Sequence, residues 1–344
     1  MSGRLHRADF TPPAGLANCH VQTLLPRLLP RRRLPHRWEC LTLPDGDFVE
    51  LTWVTPGPED EAAPLFLLFH GLEGSFASPY ARELLGSATD LGWRAVMMHF
   101  RGCGRAPNRL PRAYHSGDTA DAYWVIGQLA RRYPRALKVA AGVSLGANML
   151  VKLVAEQGGD GLDLAGAIAI SAPLDLAASA DCLQQGFARV YQRHLLASLK
   201  ARAAARLDDF PLALDARTLG ALASLRDYDD RVTAPLHGFR DADDYYRRAS
   251  AGRWLGELEL PTLVLHAEDD PFMPADLFAR LPASGDAVHV ELSARGGHVG
   301  FVEWREGRLR SWLARRVARQ LREWASAYAP TSGRRTGARG LHSP

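Results

Sequence analysis

Short apolar runs alternate along this chain with stretches whose apolar positions recur every three or four residues, a pattern that predicts strands separated by amphipathic helices. The segments "WECLTL" and "FVELTWV" flank the turn "PDGD" and read as a β-hairpin. "PLFLLF" (64–69) is apolar throughout, as expected of a strand buried on both faces of a parallel sheet. Helical periodicity follows over 79–91, then a strand "RAVMMHF" (94–100), a helix over about 118–132 and a strand "LKVAAGV" (137–143). "LGANMLVKLVAEQG" behind it is helical and ends at glycine. "LAGAIAIS" (164–171), "PTLVLHA" (261–267) and "AVHVEL" (287–292) complete a set of about eight strands, and 302–325 reads as a final amphipathic helix. Strands alternating with helices in this way predict a mainly parallel, doubly wound α/β sheet.

About ninety residues with little strand character separate the strand at 164–171 from the one at 261–267, and a connection that long needs structure of its own. The expected organisation is an N-terminal arm (1–36) packed on a core formed by 37–176 and 255–326, with a helical cap inserted at 177–254. The basic end of the chain, 327–344, is expected to be disordered. With 344 residues, 47% of them hydrophobic, the chain can bury a substantial core. Its four cysteines form no CxxC pair, and no apolar stretch approaches the roughly 20 residues needed to cross a bilayer. A cytoplasmic monomer is the expectation. The net charge of +4 is modest, and the clusters Arg31-Arg32-Arg33 and "GRRTGARGLHSP" read as solvated surface, so nucleic acid is not an expected partner and membrane contact is at most peripheral. The chain has no GxxxxGK[ST] loop and no GxGxxG opening a helix after the first strand, so no nucleotide and no other cofactor is expected.

Within "AAGVSLGANM", Ser144 stands between Gly142 and Gly146, after a strand and before a helix. That context turns a common tripeptide pattern into a nucleophile elbow, because the strained turn brings backbones so close that side chains at 142 or 146 would obstruct it. A helix-capping serine would need no partners, whereas a nucleophile needs an acid, a histidine and an oxyanion loop in a fixed order. "LVLHAEDDPFMP" supplies the acid, with Asp270 better placed than its neighbour Asp269. "ARGGHVGF" supplies His298 on a glycine-flanked loop after the strand at 287–292. "FHGLEGS" follows the strand at 64–69, and its Leu72 N–H is expected to join that of Leu145 as an oxyanion hole, with His70 and Gly71 bracing the loop. Glu73 beside that hole would oppose a developing negative charge, so its side chain is expected to turn away towards a cation such as Arg101. His266, Glu268 and Asp270 alternate along one segment, but they straddle the end of a strand, and no metal site is expected.

"HGLEGS", "MHFRGCGRAPN", "YHSGDTADA", "GVSLGANML", "HAEDDPFMP" and "GGHVGF", with the N-terminal "LANCHVQTLLPRL", resemble the YheT-like family of α/β-hydrolase proteins from about residue 8 to 325. The resemblance implies the α/β-hydrolase fold, a serine hydrolase acting on carboxylic or lipid esters, and Ser144, Asp270 and His298 as its triad. It also implies that "FRGC" and "YHSGD" support the site, without saying how. Acyl transfer by the same triad, or a non-catalytic binding protein on this scaffold, are the alternatives. In the insertion, Phe187, Val190, Tyr191, Leu195 and Leu199 form an apolar stripe expected to pack the cap and, in part, to line a pocket for a short- to medium-chain acyl group.

Overall fold

Nine strands form one sheet: β1 (Arg4–Arg7), β2 (His36–Thr42), β3 (Phe48–Val54), β4 (Leu65–Phe69), β5 (Arg94–His99), β6 (Lys138–Val143), β7 (Gly166–Ile170), β8 (Thr262–Ala267) and β9 (Val288–Ser293). This is seen in a computed structural model that describes residues 4–328. The strand order is β1-β9-β8-β7-β6-β4-β5-β3-β2, and β3 alone runs against its neighbours. The side-chain alternation of the central strands divides the core in two. Leu65, Leu67 and Phe69 of β4 join one apolar cluster, while Phe66 and Leu68 join the other. Helices α3 (Ala120–Arg132) and α4 (Leu145–Gln157) cover the first face. Helix α2 (Pro79–Thr89) and the C-terminal helix Trp312–Tyr328 cover the second.

Two elements differ from the sequence expectation. The sheet gains β1 from the N-terminal arm, paired in parallel with β9 from Arg4 opposite His289 to Arg7 opposite Leu292. "RLHR" has a single apolar residue, so periodicity gives no signal; backbone pairing at an open sheet edge holds it. The expected helix over 302–325 begins only at Trp312, because Val302–Arg305 and Arg308–Ser311 form a hairpin. Glu306 and Gly307 between them both take positive φ, 52° and 74°, as a tight two-residue turn requires. The expected disordered end falls outside the described residues from 329 onward, whereas 327 and 328 belong to the C-terminal helix.

Between β7 and β8 the chain is helical, with α5 (Leu176–Leu183), α6 (Ala188–Ala204) and shorter helices up to Ala249. It builds its own apolar cluster around Tyr191, Leu196, Phe210 and Val232, and Leu72 and Phe272 from the loops after β4 and β8 pack against that cluster. The insertion therefore leans on the two loops that carry the candidate oxyanion donor and acid. At the other end of the chain, the arm's short helix α1 (Cys19–Leu24) packs beside the loop after β9.

Candidate active site

β6 ends at Val143 and α4 starts at Leu145, leaving Ser144 on the turn with φ 53° and ψ −120°, a conformation costly for any residue but glycine. The flanking glycines are sterically required. A Cβ at Gly142 would stand 2.3 Å from the Gly146 oxygen, and one at Gly146 would stand 2.5 Å from the His70 oxygen. The turn raises the serine above the sheet, where Ser144 Oγ lies 3.0 Å from His298 Nε2. His298 Nδ1 donates to Asp270 Oδ2 at 2.8 Å, and the other Asp270 oxygen accepts the Phe272 N–H at 2.9 Å. The structure thus brings Ser144, His298 and Asp270 into one hydrogen-bonded line. The bond to Asp270 fixes the imidazole tautomer with its proton on Nδ1, leaving Nε2 free to accept from the serine.

Asp269 points elsewhere. Its Oδ1 accepts the Gly297 N–H at 2.9 Å, and its other oxygen has no hydrogen-bond partner among the described residues. Burial raises its pKa. His266 sits inside β8 against Phe278, and Asp270 is engaged by His298.

In the loop after β4, the Gly71 N–H is bound by Tyr80 Oη at 2.9 Å and the Glu73 N–H by Tyr114 Oη at 2.8 Å. The Leu72 N–H between them, and the Leu145 N–H at the first position of α4, have no acceptor among the described residues. His70 braces the loop from beneath. Its Nε2 accepts the Phe100 N–H at 3.1 Å, so the proton is on Nδ1 and donates to the Gly71 oxygen at 2.7 Å. Burial pushes its pKa down to about 3, which keeps it neutral in that role.

Glu73 does turn away from the hole, but its cation is Arg202 of α6, at 3.1 Å, and not Arg101. Arg101 is buried among three carboxylates, Asp45, Asp47 and Asp121, at 2.6–2.9 Å. Glu73, held at φ 54°, instead faces the insertion and also accepts from Tyr114 Oη at 2.9 Å and Ser198 Oγ at 2.6 Å.

Three further contributors escape a local reading of the sequence. Phe272 stacks on the His298 ring, with centroids 3.9 Å apart and planes 6° from parallel. Thr23 Oγ1 accepts the His298 N–H at 2.9 Å. Gln22, fully buried, accepts the Val302 N–H at 2.7 Å and so ties α1 to the loop that carries the histidine. Gln22 and Thr23 lie in "LANCHVQTLLPRL" and Phe272 in "HAEDDPFMP", two of the segments that carry the family resemblance. A cavity of about 550 Å³ opens over Ser144, lined by apolar side chains of the insertion such as Leu183, Leu195 and Leu199.

Residues 64–303 match the profile of the alpha/beta hydrolase fold, and they contain Ser144, Asp270 and His298. The chain belongs to the α/β hydrolase family. It is 44% identical to YheT of Escherichia coli (strain K12) over 317 residues, covering 89% of this chain and 93% of that protein, which makes it a YheT-like member. It is 29% identical to the phospholipase ABHD3 of Mus musculus over 290 residues, 82% of this chain and 70% of that one. Among solved structures, the Pyrococcus furiosus esterase Pf2001 superposes with a TM-score of 0.54 at 14% identity, covering 91% of this chain and 99% of that one, a likeness of fold. In this YheT-like hydrolase the segments "FRGC" and "YHSGD" have readable work. Phe100 holds His70 and Arg101 gathers the three buried carboxylates. Tyr114 grips Glu73 at both its N–H and its carboxylate, and the Ser116 oxygen accepts from Asn148 Nδ2 of α4 at 2.9 Å.

Proposed function

We propose that this chain hydrolyses carboxylic esters through an acyl-enzyme on Ser144. The observation that carries the proposal is the unbroken line from Ser144 Oγ to His298 to Asp270 beneath an apolar cavity, beside two N–H groups with no other acceptor among the described residues. Ser144 Oγ attacks the ester carbonyl while His298 Nε2 takes its proton, and the oxyanion settles against the Leu72 and Leu145 N–H groups. The imidazolium, stabilised by Asp270, then protonates the departing alkoxide. Water attacks the acyl-enzyme with His298 again as base, and Ser144 is released. A phospholipase relative supports ester cleavage as the chemistry.

The substrate class we infer is an ester of a short- to medium-chain acid. The cavity is finite and its walls are largely apolar, so each added methylene contributes about 0.8 kcal/mol until the space is full. On a nitrophenyl ester series, kcat/KM is expected to rise by up to about fourfold per methylene from acetate, reach its maximum at a short or medium chain, and fall for long acyl groups. A steady decline from acetate onward, or a maximum at palmitate, refutes this reading of the cavity.

The Glu73 clamp gives a second expectation. Removing the guanidinium in Arg202→Met leaves a buried carboxylate one residue from the Leu72 N–H with its charge uncompensated. Its field opposes the oxyanion, so kcat on a soluble ester should fall roughly tenfold with little change in KM, and Arg202→Lys should retain most of the rate. Unchanged kcat in Arg202→Met, with only a lower melting temperature, would limit the pair to a structural role.

A further inference from the structure

Nine large apolar side chains stand exposed among the described residues, and five of them, Val21, Leu24, Leu28, Phe187 and Val190, come from two segments that touch each other. Val21, Leu24 and Leu28 fall at helical spacing along α1 and the turn that follows it. Phe187 and Val190 open α6. His20 joins the segments, its ring 4.6 Å from Phe187 and its Nδ1 3.2 Å from Tyr191 Oη. Leu24 and Val190 also line the cavity over Ser144, so this exposed apolar rim runs into the cavity. Leu28 is 82% exposed and Phe187 48%, and both lie on segments that meet at His20.

Charge distinguishes the rim from the rest of the surface. Residues 10–38 contain no Asp or Glu and five arginines, and residues 182–207 contain no Asp or Glu and five Lys or Arg. The whole chain carries only +4, so everything outside these two segments is net negative. Arg27 at the cavity mouth, and Arg189 and Arg193 flanking Val190, have no carboxylate partner among the described residues. An apolar ring studded with unpaired cations matches the boundary of an anionic lipid layer, where apolar side chains enter the acyl region and cations meet headgroup phosphates.

We propose that the rim formed by α1 and the start of α6 docks the protein on anionic lipid surfaces, with the cavity mouth facing the lipid. A protein partner of matching shape would need carboxylates placed opposite every arginine, whereas an anionic lipid layer presents headgroup phosphates wherever the rim lands. The proposal is independent of which residue is the nucleophile.

Flotation of the full chain with vesicles of phosphatidylcholine alone, or of phosphatidylcholine with phosphatidylglycerol, tests it. The protein should float with the phosphatidylglycerol vesicles only, and high salt should release it. Leu28→Asp combined with Phe187→Asp, and separately Arg189→Glu combined with Arg193→Glu, should each reduce the bound fraction roughly tenfold or more. Of the stripe expected to line the acyl pocket, Val190, Tyr191, Leu195 and Leu199 do so but Phe187 does not, and none of the four substituted residues lines the cavity, so hydrolysis of a soluble nitrophenyl ester should stay at the parent rate and reports folding of each variant. The proposal is overturned if the parent protein stays unbound with both vesicle types, or if folded variants float as the parent does. It is equally overturned if light scattering finds a parent dimer that Leu28→Asp with Phe187→Asp splits, since the rim would then be a contact between two copies.

Discussion

Replacing Ser144 by alanine is expected to lower turnover of a nitrophenyl ester by about a million-fold and to abolish covalent labelling by a fluorophosphonate. The size of the effect follows from the proposed role, because without Oγ neither the acyl-enzyme nor its formation by His298 can occur. Folding should survive, since the hydroxyl's hydrogen bond is to His298 Nε2 and its loss leaves no buried group stranded in a dry core. Labelling that persists in the alanine variant would move the nucleophile to another residue. Ser171 is the obvious one to inspect. It too stands at the end of a strand with positive φ, 49°, but its Oγ accepts the Val299 N–H at 3.3 Å and it has no histidine partner among the described hydrogen bonds.

Ser144 could be read from the sequence because the pattern that marks its turn is local, although the close approach that demands Gly146 comes from Phe69 and His70 on β4 and the loop after it. The two glycines answer contacts within a few ångströms, and the strand before and the helix after each show their own periodicity over 137–157. Asp270 and His298 followed from their positions after strands that are apolar enough to recognise. What stayed hidden depends on pairing at long range. β1 has one apolar residue and exists through its partner β9, more than 280 positions away in the register. Arg202 meets Glu73 across 129 positions, and Thr23 meets His298 across 275. No periodicity reports such contacts. Glu73 turns to a cation as expected, but the cation is Arg202 from the distant insertion, because Arg101 is already taken by three carboxylates.

These long-range links share a consequence. The oxyanion loop is fastened to the insertion through Glu73, and the histidine loop is fastened to the N-terminal arm through Thr23 and Gln22. The loops that carry the proposed oxyanion donor Leu72 and the base His298 are therefore each tied to a helix, α6 or α1, whose exposed apolar residues form the rim.

The adjacent acids should separate sharply on mutation. In Asp270→Asn the amide can donate to His298 Nδ1, which drives the imidazole to the tautomer with its proton on Nε2, facing the Ser144 hydroxyl with no lone pair to accept from it. kcat should drop by about 10⁴-fold while substrate binding is largely kept. Asp269→Asn is a different perturbation. Its remaining carbonyl can still accept the Gly297 N–H that Asp269 holds at 2.9 Å, and the amide removes a half-buried charge that burial already disfavours. The loss in kcat should be less than about tenfold. Asp269→Ala, which frees the Gly297 N–H and loosens the turn before His298, should fall between the two, and steady-state kinetics on one soluble ester orders all three. If Asp269→Asn proves the more damaging of the two amides, the acid of the triad is Asp269, and the 2.8 Å bond from His298 to Asp270 is not the one that orients the base.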